Sequence, residues 1–218
     1  MPRASGIAIF GGTFDPIHFG HLRSALEVRE ALDVSAVRFV PSYIPPHRKA
    51  PSATPAQRLD MLRLAIAGQA GFEIDERELA REGKSFAVDT LNSIREEIGP
   101  DLPLTTIIGS DAYRLLNEWH EWRRLLDYAH VVVLERPDHN DAGLSRELIE
   151  FARGRLVTEP SCLAARPYGS ICRLRLTQIG ISATAVRNVF AAGRSPAYML
   201  PEKVISYIYE NGLYGAAC

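Results

Sequence analysis

Two histidines three residues apart, His18 and His21, close the run GGTFDPIHFGH that spans Gly11 to His21. The run follows a short apolar stretch, Ile7 to Phe10. It leads into a segment from His21 to Leu32 with no internal Gly or Pro, in which Leu22, Ala25, Leu26 and Leu32 keep helical spacing. At the mouth of a helix, histidines so spaced can turn both imidazoles into one crevice, where as cations or N–H donors they suit phosphate oxygens. Gly11 and Gly12 are expected to turn the chain sharply out of a strand and present N–H groups. Gly20 permits close approach, and the helix start adds the positive end of its dipole. Taken singly, a Gly-Gly pair is an ordinary turn and each histidine a capping or packed imidazole; spacing and placement together favour a phosphate site. Competing motifs fail on letters: no GKS or GKT follows the Gly11-Gly12 run to complete a Walker loop, GGTFDP lacks the GxGxxG spacing, and no HExxH supports zinc. Asp15, before Pro16, reads as a turn residue rather than a ligand.

Such a site needs a sheet edge to carry it, and strands and helices alternate along the chain. Strands are expected at Ile7 to Phe10, Val37 to Pro41, Phe72 to Asp75, Leu104 to Ile108, Val131 to Leu134 and Leu174 to Ile179. Helices are expected at Gln57 to Ala67, Ala87 to Ile98, Ala112 to Leu116, Ser145 to Ala152, Thr184 to Ala192 and Pro201 to Glu210. Pro41 to Pro55, with five prolines around His47, Arg48 and Lys49, reads as a long exposed loop. The pattern predicts an α/β fold: a Rossmann-like, doubly wound parallel sheet with helices on both faces and a small C-terminal helical part, forming one domain over residues 1–218. Ligands then bind at the carboxyl ends of the strands. Asp111, just past the strand at 104–108, stands where a carboxylate can accept from ribose hydroxyls, or equally cap a helix beginning at Ala112.

Composition narrows the partners. With 25 basic against 26 acidic residues, the net charge of −1 offers no field for nucleic acid or a membrane surface. No apolar run approaches the roughly 18 to 20 residues of a membrane span, and Met1 to Gly6 lacks a signal-peptide stretch. Cys162, Cys172 and Cys218 are odd in number and far apart, so reduced thiols and a cytoplasmic location are expected.

Six blocks, in order along nearly the whole chain, carry a family resemblance: GGTFDPIHFGH, PPHRK at Pro45 to Lys49, KSFAVDT at Lys84 to Thr90, IIGSD at Ile107 to Asp111, EWHEW at Glu118 to Trp122 and ISATAVR at Ile181 to Arg187. The sequence resembles the HxGH nucleotidylyltransferases, and within them the bacterial nicotinate-nucleotide adenylyltransferases. The resemblance implies ATP and nicotinate mononucleotide as partners, with Mg²⁺ held mainly on substrate phosphates and no protein metal site. It implies that His18, His21 and Arg187 are catalytic, and that Gly11, Gly12, Thr13, Phe14, Gly109, Asp111, Ile181 and Ser182 bind ATP. For the mononucleotide it points to Trp119 stacking on the pyridine ring, Thr90 nearby, and Arg48 and Arg136 for phosphate or carboxylate. Read without the family, Ser182 caps a helix, Trp119 and Trp122 anchor a core, and Arg48 is a solvated charge. The motif departs at Ala183, where a second hydroxyl is more usual. The reaction implied is in-line attack by the mononucleotide's 5′-phosphate on the α-phosphorus of ATP, releasing pyrophosphate with no covalent intermediate. Sister transferases sharing the HxGH core and a nucleotide-binding regulatory module are the rival readings.

Overall fold

A computed structural model of the chain describes residues 6–45, 50–135, 143–177 and 179–216. Short runs rich in Val, Ile and Leu form its strands: β1 Ile7–Gly12, β2 Ala36–Pro41, β3 Phe72–Ile74, β4 Leu104–Gly109, β5 His130–Glu135, β6 Leu156–Val157 and β7 Ile171–Arg175. All pair in parallel within one sheet ordered β3-β2-β1-β4-β5-β7-β6. The helices among the described residues are α1 Phe19–Leu32, α2 Pro55–Ile66, α3 Arg77–Arg81, α4 Ala87–Ile98, α5 Ser110–Arg114, α6 Leu125–Tyr128, α7 Arg146–Ala152, α8 Ala183–Ala191 and α9 Glu202–Glu210.

Alternate strand residues divide between two cores, as a sheet covered on both faces requires. Ala8, Ile107 and Val132 pack with Val28 of α1, Met61 of α2, Val186 of α8 and Ile208 of α9. Ile7, Ile9, Val131 and Val133 pack with Leu91 and Ile94 of α4, Leu125 of α6 and Leu148 of α7. The C-terminal helices α8 and α9 therefore belong to the first layer. No helix among the described residues is long and apolar enough to cross a membrane.

Several boundaries differ from the sequence reading, three of them with a clear cause. Gly11 and Gly12 do not end the first strand: they continue β1, opposite Val40 and Pro41 of β2. Pro55 opens α2 instead of closing the loop before it, because Thr54 and Gln57 form a reciprocal capping box and proline suits the first helical position. The late strand lies at Ile171–Arg175 rather than Leu174 to Ile179, since pairing of Val131 with Ile171 and Val133 with Arg173 fixes its register.

Hydrogen bonds from half-buried Arg95 and buried His130 tie the amino edge of the sheet. Arg95 of α4 donates to the carbonyl oxygens of Tyr128, Gly99, Leu102 and Pro167 at 2.7–3.0 Å. The His130 ring accepts from Ser170 N through Nδ1 at 3.1 Å and so donates through Nε2 to Arg166 O at 2.9 Å. Burial lowers the pKa of His130, which keeps this neutral tautomer.

Candidate active site

The strand order reverses between β1 and β4, the position where doubly wound sheets bind ligands. There β1 pairs with β4 only from Ile7 to Ile9, while it pairs with β2 along its whole length. The ends carrying Gly11 and Gly12 on one side and Gly109 on the other are thus released from each other. A side chain on Gly11 or Gly109 would meet nothing within 4 Å, so both backbones face open space. Gly12 is constrained differently: a methyl there would come within 2.9 Å of the Phe14 ring.

Phe14 holds a left-handed backbone, φ 49°, which costs a residue with a side chain about 1 to 2 kcal/mol. Its ring is buried against Phe39 and the edge of His21, and burying a phenyl ring offsets that cost. The side chain expected to line the ATP pocket is packed in the core. Thr13 lies beside it, with its carbonyl oxygen bound to Arg58 at 2.7 Å.

His18 is the N-cap of α1 and His21 lies in its first turn; the helix starts two residues earlier than its apolar spacing suggests. The two imidazoles stack with centroids 3.7 Å apart and planes 26° apart. The expected juxtaposition is present. His18 is buried and its Nδ1 has no hydrogen-bond partner. Desolvation lowers its pKa to about 4, so at neutral pH it is an uncharged N–H donor rather than a cation.

Gly20 brings the second half of the site against this pair. A methyl on Gly20 would stand 3.0 Å from the His18 ring and 3.2 Å from the Ile181 carbonyl oxygen. A side chain there would push the His18 ring or the ISATAVR backbone back by a few tenths of an ångström. Ser182 then caps α8, its hydroxyl accepting from Ala185 N at 3.1 Å, which satisfies one of the helix's free N–H groups. Ala183 is the first helical residue and adds no hydroxyl. Arg187, one turn on, donates to Asp15 O at 2.6 Å and to Thr184 Oγ1 at 3.2 Å. Two of its five N–H donors are used there, leaving others for an anion.

Asp111 is exposed in the first turn of α5, whose N-cap is Gly109, so it is a helical residue and not the cap. Trp122 is buried in the core, whereas Trp119 ends a 3-10 turn in extended backbone and is only partly buried. Neighbouring His120 meets the Phe86 ring at 4.4 Å, joining the EWHEW and KSFAVDT blocks. Thr90 has a different partner from the one expected: its hydroxyl donates to Glu78 Oε1 at 2.6 Å and accepts from Arg81 at 3.0 Å. It is buried in that network and orders α3 and α4 rather than facing open space. Arg48 and Arg136 lie outside the described residues.

Arg58 and Tyr214 had no role in the sequence reading, and Asp15 was read there as a turn residue. Arg58, fully buried, donates to Thr13 O and Ser42 O at 2.7 and 2.6 Å, and so ties the ends of β1 and β2 together. Its place beside Leu59, Met61 and Leu62 on the buried face of α2 was the available signal. Asp15 is a buried acceptor, and Tyr214 is its partner; nothing local in the sequence marks Tyr214.

No three His, Cys, Asp or Glu side chains among the described residues are grouped as a metal site. The oxygens of Asp15 are occupied by Ser52 N, Ala53 N and the Tyr214 hydroxyl, so they do not form a cation site either.

Stacked imidazoles near the N-terminus of a helix, beside the switch point of the sheet, suit the phosphates of a nucleotide. The chain belongs to the cytidylyltransferase-like family, which matches residues 9–189, and is thus a nucleotidyltransferase. A protein of Methylococcus capsulatus named probable nicotinate-nucleotide adenylyltransferase is 50% identical, over 95% of this chain and 99% of its own. One of the same name from Marinobacter nauticus is 48% identical, over 95% and 96% respectively. Among solved structures, Plasmodium falciparum nicotinic acid mononucleotide adenylyltransferase complexed with NaAD superposes with a TM-score of 0.73 at 16% identity, covering 98% of each chain; this likeness concerns the fold. Within its family the chain is an enzyme of the nicotinate-nucleotide adenylyltransferase group.

Proposed function

We propose that the protein transfers the AMP part of ATP to nicotinate mononucleotide, giving deamido-NAD and pyrophosphate, and that it does so as one domain over residues 1–218 in the cytoplasm. The observation that supports the reading is the close approach of the His18 ring and the Ile181 carbonyl oxygen at Gly20, which brings the stacked imidazoles near the segment that opens the Arg187 helix. The names of relatives at 48–50% identity supply the acceptor.

Two polyanions must meet, and their repulsion is the main barrier. The reaction needs in-line geometry and charge stabilisation, not a covalent nucleophile. His18 and His21 donate N–H bonds to the α- and β-phosphates. Anionic oxygens beside a desolvated imidazole favour its protonated form, so bound phosphate opposes the burial that keeps His18 neutral. The amides at the start of α8 and the free donors of Arg187 take the leaving pyrophosphate. The backbone at Gly11, Gly12 and Gly109 walls the nucleotide, Asp111 accepts from its ribose, and Trp119 offers its partly buried face to the pyridine ring. Mg²⁺ would come with the triphosphate and would offset part of its charge.

The test is pyrophosphate release from MgATP with a panel of acceptors: nicotinate mononucleotide, nicotinamide mononucleotide, phosphopantetheine and phosphocholine. Nicotinate mononucleotide is expected to give the highest kcat/KM, and His21→Ala to lower turnover by roughly 10² to 10³ with an unchanged melting temperature. Preference for a different acceptor would overturn the substrate assignment, and unchanged turnover in His21→Ala the role of that imidazole.

A further inference from the structure

The buried carboxylate of Asp15 sits behind the phosphate site and has more partners than a turn residue needs. Its Oδ2 accepts from Ser52 N at 2.8 Å, and its Oδ1 accepts from Ala53 N at 3.1 Å and from the Tyr214 hydroxyl at 2.8 Å. An ionised carboxylate offers about four acceptor positions, so roughly one remains. Facing it is Arg187, whose Nη1 lies 3.7 Å from Oδ2 but is hydrogen-bonded instead to the Asp15 main-chain oxygen at 2.6 Å.

That geometry matters because arginine and carboxylate join readily in a two-bond fork. A guanidinium so engaged would be turned away from a nucleotide. Three donors already on the carboxylate leave no room for the fork, and Arg187 keeps only an offset contact. Two of these donors are backbone amides and cannot be withdrawn by a side-chain change. The third is Tyr214, which arrives from a short turn at Leu213–Gly215 packed on α8, the helix that carries Arg187. Its ring lies 6.3 Å from Phe190 of that helix, and a methyl on Gly215 would come within 3.5 Å of Ala191. Tyr214 also holds a left-handed backbone, φ 59°, so packing and the hydrogen bond together maintain a conformation that a residue with a side chain disfavours. Burial and the Asp15 charge raise the pKa of the phenol, which stays a donor throughout the working range.

We propose that Tyr214 is a positioning residue for the transfer reaction: by occupying Asp15, it keeps the Arg187 guanidinium free to meet phosphate. The proposal rests on the assignment of Arg187 to the phosphate site, and no role in contacting the substrate is given to Tyr214 itself. In Tyr214→Phe the ring and its packing remain, Oδ1 loses a donor, and Arg187 swings onto the carboxylate.

The experiment measures ATP affinity by calorimetry for wild type, Tyr214→Phe, Arg187→Ala and the double variant, with KM for the mononucleotide and thermal melting measured alongside. Tyr214→Phe is expected to weaken ATP about ten-fold, the scale of one hydrogen bond to a charged group, with the mononucleotide KM within about two-fold of wild type. In the Arg187→Ala background the same change is expected to have no effect on ATP. A second pair in an Asp15→Asn background, where no ion pair with Arg187 can form, is likewise expected to show no effect of Tyr214→Phe. An unchanged ATP affinity in Tyr214→Phe, or the same ten-fold loss with Arg187 absent, would overturn the proposal. Because affinity is read without an acceptor, a protein that binds ATP in this pattern yet fails to adenylylate nicotinate mononucleotide would refute the substrate reading and leave this one standing.

Discussion

Acidifying the protein should reveal His18 as a desolvated base. Its pKa stands at about 4 in the folded chain against 6.5 for an exposed imidazole, and the whole difference corresponds to about 3 kcal/mol at 1.36 kcal/mol per unit. A lowered folded-state pKa means that the unfolded chain takes up the proton first. The stability contributed by keeping His18 neutral is therefore complete above pH 6.5 and is lost as the pH falls towards 4. At pH 5 nearly every unfolded chain carries the proton at this position and few folded ones do, so about 2 kcal/mol has already gone. Urea melts at pH 7.5 and pH 5 measure this directly when the wild type is compared with His18→Gln, whose amide does not titrate. The wild type is expected to lose about 2 kcal/mol more than the variant between the two pH values. His130, also held neutral by burial, is common to both proteins and cancels in the difference. Equal losses would refute the reasoning, since the imidazole would then be solvated or already paired.

Two further outcomes are expected. Trp119→Ala should raise KM for the mononucleotide and leave KM for ATP unchanged with little effect on stability, while Trp122→Ala should cost about 3 to 5 kcal/mol in a urea melt. Equal destabilisation by the two changes would return Trp119 to the core. Arg58→Met leaves the Thr13, Ser42 and Tyr43 carbonyl oxygens without their donor and removes one of the two cations near Asp15, and should destabilise by about 3 kcal/mol. A urea melt showing a loss under about 1 kcal/mol would remove Arg58 as the clasp between β1 and β2.

The parts legible in the sequence were those whose causes are local. Alternating apolar runs and capping residues gave the parallel sheet, and three-residue spacing at a helix start placed His18 beside His21. Gly20 was legible as a point of close approach, although its partner, Ile181, was not. The late strand was misplaced because Leu174, Leu176 and Ile179 continue an apolar pattern past Arg175, and only pairing with β5 decides where the strand stops. Strand β6 is two residues long, too short to leave a period in the letters. Asp15 was read as a turn residue because its position before proline explains it locally, while its acceptor role depends on Ser52, Ala53 and Tyr214. Thr90 was assigned through its block, and the nearby Glu78 and Arg81 that engage its hydroxyl carried no motif to signal them.

The hydrogen bond between Tyr214 and Asp15 joins positions 199 residues apart. At ribosomal speeds of about 5 to 20 residues per second, roughly 10 to 40 s separate the synthesis of one partner from that of the other. For most of that interval a nascent chain carries the histidine pair but neither the guanidinium nor the phenol. Capacity for nucleotide chemistry thus arrives late in translation, after the strands that frame it have been made.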